Sequence, residues 1–156
     1  MTKKRMGYMV IIVYSCFFSG CLSFFTLTPS EKLYNAATQG KLNDAQQAVQ
    51  DGANINFQVR EQSLRSPLSQ ASQLGHYDIV EFLVEKGANI NIRAADGTSP
   101  LMIAAYAGHF EIVKYLVEKG AELDFKNYNG DTALSNAYER GNMQIYNYLK
   151  DQGVTE

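Results

Sequence analysis

Cysteine is missing from the body of this 156-residue chain: Cys16 and Cys21 both lie in or beside an apolar N-terminal run. Nothing after residue 21 can form a disulfide or a thiolate metal site, which excludes a disulfide framework and a cysteine-bound zinc. Histidine is scarce too. His76 and His109 have no second histidine or cysteine nearby in sequence to complete a ligand set. A basic patch is also absent. Residues 1–20 hold three bases and no acids, and the remainder carries 11 bases against 16 acids, a formal charge of −5. That balance lacks the electrostatic footprint of a nucleic-acid binder. No Gly-rich phosphate loop and no G-x-S-x-G elbow occurs. Asp96-Gly97 and Asn129-Gly130 lack the alternating acidic ligands of a calcium loop and read as turns. Acids such as Glu81/Glu85 and Glu111/Glu118 are spread along helix faces as solvated surface. The sequence therefore predicts no catalysis, no cofactor and no metal.

What the chain does have begins at its N-terminus. Lys3, Lys4 and Arg5 precede an almost uncharged run from Met6 to Leu27. Such a run is a targeting or membrane segment and stands outside the fold. The apolar stretch near Met6–Phe18 is followed by the small residues Ser19 and Gly20, then Cys21. This pattern resembles the lipobox of bacterial lipoproteins, although Phe18 stands where that family usually has leucine. The resemblance implies a signal peptide over 1–20, a lipidated Cys21, and a linker over 21–28. Leu22 after the cysteine implies sorting to the outer membrane. Two alternatives stay open: an uncleaved helix, since Met6–Leu27 is long enough to span about 30 Å of hydrocarbon, and a plain secretory signal. All three put the basic flank in the cytoplasm and the body outside, in the bacterial cell envelope facing the periplasm.

The body repeats. Glycines at 52, 87, 120 and 153 are separated by 35, 33 and 33 residues, and a second series at 40, 75, 108 and 141 keeps the same spacing. Two registers in step predict a repeat solenoid. The clearest unit reads Asp96-Gly97-Thr98-Ser99-Pro100-Leu101, Ala104-Ala105, Gly108-His109, Ile112-Val113, Leu116-Val117 and Gly120-Ala121. Ser99-Pro100 and Ser66-Pro67 start a helix by capping it with a hydroxyl and placing proline at its first position. Ala104 and Ala105 permit close helix approach. Gly108 ends the first helix. Ile112, Val113, Leu116 and Val117 form the apolar stripe of the second. The pattern resembles the ankyrin repeat over about residues 29–153. It implies an all-α solenoid of four helix-turn-helix units, about 29–60, 61–94, 95–127 and 128–156, with short β-hairpin fingers, forming a domain over 29–156. The first unit has a polar second helix, Asn43–Val49, and Lys150 stands where the third unit has Val117. These read as end caps, so the array is expected to be complete. The family's T-P-L-H histidine is replaced by Ser69, Met102 and Ser135, which predicts modest stability.

The ankyrin resemblance implies a protein-binding surface on the fingers and inner helices. Two extra residues between the first two units, within Val59–Arg65, predict a longer first finger. The expected contact residues are Arg60, Leu64 and Arg65 on the first finger and Arg93 and Asp96 on the second. Phe125, Lys126 and Tyr128 are expected on the third, with Gln73, Tyr106, Glu139 and Arg140 in the groove. Exposed aromatics such as Tyr106 and Tyr128 are hot-spot candidates, while Tyr115, Tyr146 and Tyr148 read as packing residues. His76 and His109 read as supports for the start of each second helix by hydrogen bonding and packing. The expected partner is a protein, with no nucleic acid, and the chain is expected to be a monomer. A delivered toxin (a lipase, for example) to be neutralised by an immunity protein and a periplasmic enzyme to be scaffolded or protected are the two partner classes. A purely structural envelope protein is the rival.

Overall fold

A computed structural model describes residues 27–60 and 63–154. The expected signal peptide, the lipidated Cys21 and most of the 21–28 linker lie outside the described residues. Eight helices occur among those described: α1 (Pro29–Gln39), α2 (Leu42–Gln50), α3 (Pro67–Leu74), α4 (Tyr77–Glu85), α5 (Pro100–Ala107), α6 (Phe110–Glu118), α7 (Ala133–Glu139) and α8 (Met143–Asp151). Each first helix packs on the second helix of its own unit. The first helices α1, α3, α5 and α7 then stack in one layer, and α2, α4, α6 and α8 form the other.

Helix starts follow the sequence chemistry. Ser66 and Ser99 accept from the backbone N–H of Ser69 (3.1 Å) and Met102 (3.3 Å), with Pro67 and Pro100 at the first helical position. Such caps are worth about 1 kcal/mol each. The replaced T-P-L-H histidines do not disturb them, because Ser69 and Ser135 join the cap through their own hydroxyls. The α1 helix is longer at its N-terminus and carries a capping box. Thr28 accepts from the Glu31 N–H at 3.3 Å while its own N–H donates to Glu31 Oε2 at 2.8 Å.

The core lies between the two layers. Leu68, Ile79, Val80, Leu83, Leu101, Ile112, Val113, Leu116, Leu134, Ile145 and Leu149 are buried, and each is worth about 1.5–3 kcal/mol relative to exposure. Small residues sit where layers meet: Ala37, Ser72 and Ala105 are equivalent in three successive units, and all are fully buried. In the fourth unit that column ends in Tyr138, whose ring lies 5.4 Å from Tyr146, with Lys150 Nζ 5.4 Å from the Tyr146 ring. Two tyrosines and a lysine thus close the C-terminal end. On the second-helix side, Tyr77–Tyr115 and Phe110–Tyr148 pair edge to face, each at 5.6 Å, joining α4 to α6 and α6 to α8. Tyr115, Tyr146 and Tyr148 are therefore packing residues.

Two expectations need correction. No strand forms among the described residues. The fingers are tight turns, with one isolated bridge between Val59 and Arg65. Many of their backbone groups turn back within the same finger or bond to asparagine and aspartate side chains, and the single main-chain bonds left between neighbouring fingers do not extend into a ladder. The histidines also act differently from expectation. Neither His76 nor His109 makes a side-chain cap to its own helix. Each instead reaches back to the preceding unit. His109 Nε2 donates to the Gln73 carbonyl at 3.1 Å, and Asn142, in the same slot of the last unit, donates to the carbonyls of Ala105 (2.8 Å) and Tyr106 (3.2 Å).

Glycine makes this reach possible. Gly75 has φ +79°, and a Cβ there would fall 2.7 Å from His109 Cε1. Gly40 stands in the same relation to His76, at 2.8 Å, and Gly108 to Asn142, at 3.0 Å. By contrast Gly87, with φ +87°, has nothing within 4 Å of such a Cβ. Both substitutions to alanine incur the left-handed strain, about 1–3 kcal/mol. Gly75→Ala also drives a methyl into the ring, so it should cost at least about 1 kcal/mol more than Gly87→Ala in urea unfolding. Equal losses would show that the ring seat carries no energy.

Candidate functional site

The fingers are built by local hydrogen bonds and then strung together. In the second, Ala94 N–H donates to the Thr98 carbonyl (3.0 Å) and Thr98 N–H to Asp96 Oδ1 (2.9 Å). In the third, Asn127 Oδ1 accepts from Asn129 (2.9 Å) and Asp131 (2.8 Å), and Asn127 Nδ2 donates to Asp131 Oδ2 at 2.9 Å. The first finger closes through Val59 N–H to the Arg65 carbonyl at 3.1 Å, with Ser63 and Leu64 at φ 57° and 55°. Two consecutive non-glycine residues in that region store strain of order 1 kcal/mol each. Across the gaps, Ala95 N–H donates to the Ser63 carbonyl (2.8 Å) and Tyr128 N–H to the Asp96 carbonyl (3.0 Å). Gln58 Nε2 bridges the Leu64 and Arg93 carbonyls, at 2.7 Å each. The three tips therefore form one continuous rim.

Behind that rim lies an open groove of about 380 Å³. Buried Met102 and Ile103 form its apolar floor. Tyr106, 48% exposed, forms a wall, and the Arg140 guanidinium lies 4.6 Å from its ring centroid. Arg65 donates to Gln73 Oε1 at the opposite side. Asp96 sits on the edge. Burial pulls its carboxyl upward, but hydrogen bonds from the Thr98 side chain and backbone, its own backbone N–H and the Arg65 charge outweigh that and hold it below its ordinary value.

Of the expected contact residues, Arg65, Gln73, Asp96, Tyr106 and Arg140 converge on this groove. Arg60 and Leu64 are exposed on the first finger. Tyr128 is 76% exposed and lies against Gly97. Arg93 is exposed, its guanidinium 3.7 Å from the Phe125 centroid. Three expected residues lie outside this groove. Phe125 is half-buried: it packs on the core and the Arg93 guanidinium lies over its ring. Lys126 lines a different cavity of about 680 Å³ at the C-terminal end, with Tyr138 and Tyr146. Glu139 is exposed but does not line the groove, where its neighbour Arg140 takes the place. Met102, Ile103, Asn127, Asp131 and Asn136 were not foreseen. Ile103 lies three residues before Tyr106, one helical turn away, so helical spacing could have found it. Among the described residues, no three His, Cys, Asp or Glu side chains gather where a metal ion could be held.

The repeats have counterparts. A family model described as "Ankyrin repeats (3 copies)" matches residues 28–94 and 89–155. The chain is 42% identical over 66 residues to the histone-lysine N-methyltransferase EHMT1 of Mus musculus, covering 42% of this chain and 5% of that protein. It is 39% identical over 71 residues to an Arf-GAP with coiled-coil, ANK repeat and PH domains from Gallus gallus, covering 46% of this chain and 9% of that one. It is also 39% identical over 66 residues to an ankyrin repeat and KH domain-containing protein of Caenorhabditis briggsae, covering 42% and 2%. The chain thus spans a small fraction of these relatives, and the likeness to the methyltransferase is confined to its repeats.

Asp96 offers a direct probe of the rim. Its depressed carboxyl means that its contribution is fully present above the ordinary aspartate value, about pH 3.9, and is lost as pH falls through the lower folded value. Asp96→Ala should speed amide exchange at Thr98 at neutral pH, and the wild type should approach the variant's rate, corrected for intrinsic pH dependence, as pH falls through the lowered folded value. Identical protection at neutral pH would contradict this.

Proposed function

The chain belongs to the ankyrin-repeat family, and from that premise we propose that it is an exported, membrane-tethered protein that binds a partner protein through its fingers and groove, with no catalysis of its own. Ankyrin repeats are protein-interaction modules. The observation that carries the reading is the continuous rim. Three fingers joined by main-chain hydrogen bonds stand before a groove with an exposed tyrosine and an arginine stacked upon it. A preformed surface of this kind loses little freedom on binding, and aromatic and arginine side chains are the usual anchors of an interface.

The tether rests on the N-terminal sequence: the basic Lys3-Lys4-Arg5, the apolar run, and Ser19-Gly20 ahead of Cys21. Lipid at Cys21 would hold the repeats at the periplasmic side of the envelope. Each buried CH₂ of an acyl chain adds about 0.8 kcal/mol, so several chains anchor firmly. A partner resident there is either a toxin neutralised by an immunity protein or an enzyme that is scaffolded. Growth rescue on co-expression with a toxin gene separates the two.

Two experiments test the reading. A photo-crosslinking amino acid placed at Tyr106 should capture a discrete protein in intact envelopes, while one at Lys114 on α6 should not. Capture from Lys114 alone would move the site to the second-helix face. Cys21→Ser should abolish palmitate labelling and shift the chain out of the detergent-extracted membrane fraction. Unchanged labelling would rule out Cys21 as the lipid site.

A further inference from the structure

The arginines of the repeat body keep to one side, while lysine occurs on both, with Lys32 on α1 and Lys126 in the third finger. All four arginines after residue 21, Arg60, Arg65, Arg93 and Arg140, lie on fingers or the groove. The second helices and their ends carry lysine instead, at Lys41, Lys86, Lys114, Lys119 and Lys150. Arginine differs from lysine in offering a flat guanidinium that stacks on a ring and presents paired N–H donors along its edge. Two of the four are held this way, Arg93 at 3.7 Å over Phe125 and Arg140 at 4.6 Å over Tyr106. A stacked guanidinium has lost its rotamer freedom in advance, while its edge stays free to bond a planar anion.

Nothing within the described chain neutralises these groups by direct contact. The one ion pair among the described residues is Lys41–Asp44, at 3.9 Å, on the first unit. Of the two groove carboxylates, Asp131 accepts from Asn127 Nδ2 and Asp96 from the Thr98 N–H, with Arg65 acting on Asp96 only through space. The opposite face is mixed in charge: α4 carries Asp78, Glu81 and Glu85 with Lys86 at its C-terminal end, and α6 carries Glu111, Lys114 and Glu118 with Lys119 at its C-terminal end. An anion thus meets unpaired, stacked guanidiniums at the rim and lysines interspersed with carboxylates on the second helices.

Resting on the binding surface argued above, we infer that the occupant is an acidic segment of a partner protein, with carboxylates on the rim arginines and one apolar side chain on the Met102–Ile103 floor. The body's net charge of −5 disfavours a long polyanion, whose phosphates would run past the rim onto second helices where acids outnumber lysines. The groove, about 380 Å³ with an apolar floor, has room for a few side chains.

The test uses the full chain in detergent and a fluorescent heptapeptide of six glutamates around a central leucine. It should bind, weaken as salt rises, and bind at least tenfold more weakly to R93Q/R140Q. R93K/R140K should be intermediate, because charge remains but the planar stacked donor is lost. A charge-matched control, K86Q/K114Q on the second-helix side, should bind as the wild type does, and circular dichroism reports that each variant folds. Equal binding by R93Q/R140Q, an equal loss in K86Q/K114Q, or tighter binding of a lysine-for-glutamate peptide or an oligothymidylate of equal charge would overturn the inference. Excess glutamate peptide should also suppress the Tyr106 crosslink. A crosslink that persists sinks the acidic assignment while leaving the binding surface standing, whereas a missing crosslink sinks the surface itself.

Discussion

The spacing of this array depends on the removal of a single carbon atom from one position in each unit. Where the first helix ends, glycine turns the chain through a left-handed conformation and leaves no side chain above its own Cα. The next unit's histidine or asparagine fills that space, and His109 and Asn142 also bond to carbonyls at the helix end. Gly40 with His76, Gly75 with His109 and Gly108 with Asn142 repeat the device. Helix termination and unit docking are thereby one event. A unit that ends its first helix wrongly cannot receive its neighbour, which couples local conformation to the stability of the whole stack.

The same economy shapes the finger side. A turn closed by its own asparagine or aspartate has satisfied its polar groups locally, so one further N–H in each of the second and third fingers is left to link to the preceding tip. Ala95 to Ser63 and Tyr128 to Asp96 use that spare donor. The rim is stiff for that reason, and it holds Arg93 over Phe125 and the groove in front of Tyr106. Among the described residues, the carboxylates that serve the turns make no ion pair with Arg93 or Arg140. Building a rigid finger and leaving a cation available are consequences of one allocation of hydrogen bonds.

The two ends of the stack solve different problems. The first unit places small, buried Ala45 and Ala48 in its second helix and lets Tyr34, itself buried, donate to Gln70 at 3.2 Å in the next unit. The last unit replaces the small column residue by Tyr138 and leans it on Tyr146. Bulk at that position covers the apolar face that an inner unit would hand to a successor. Gly141, the last of its series, has no atom near its missing Cβ.

Much of this was legible in the sequence. The two glycine registers, the Ser-Pro helix starts and the Ile-Val/Leu-Val stripes specify helix pairs at 33–35-residue spacing, because capping and amphipathic burial are properties of short segments. The tertiary structure decided what depended on a neighbouring unit. His109 bonds across the unit boundary rather than to its own helix, since its reach is set by stacking. The fingers are turns rather than hairpins, because side chains took the hydrogen bonds a ladder needs. Met102 and Ile103 line the groove and Glu139 does not. Which side of a residue faces a groove depends on how successive units are rotated, and no single repeat encodes that rotation.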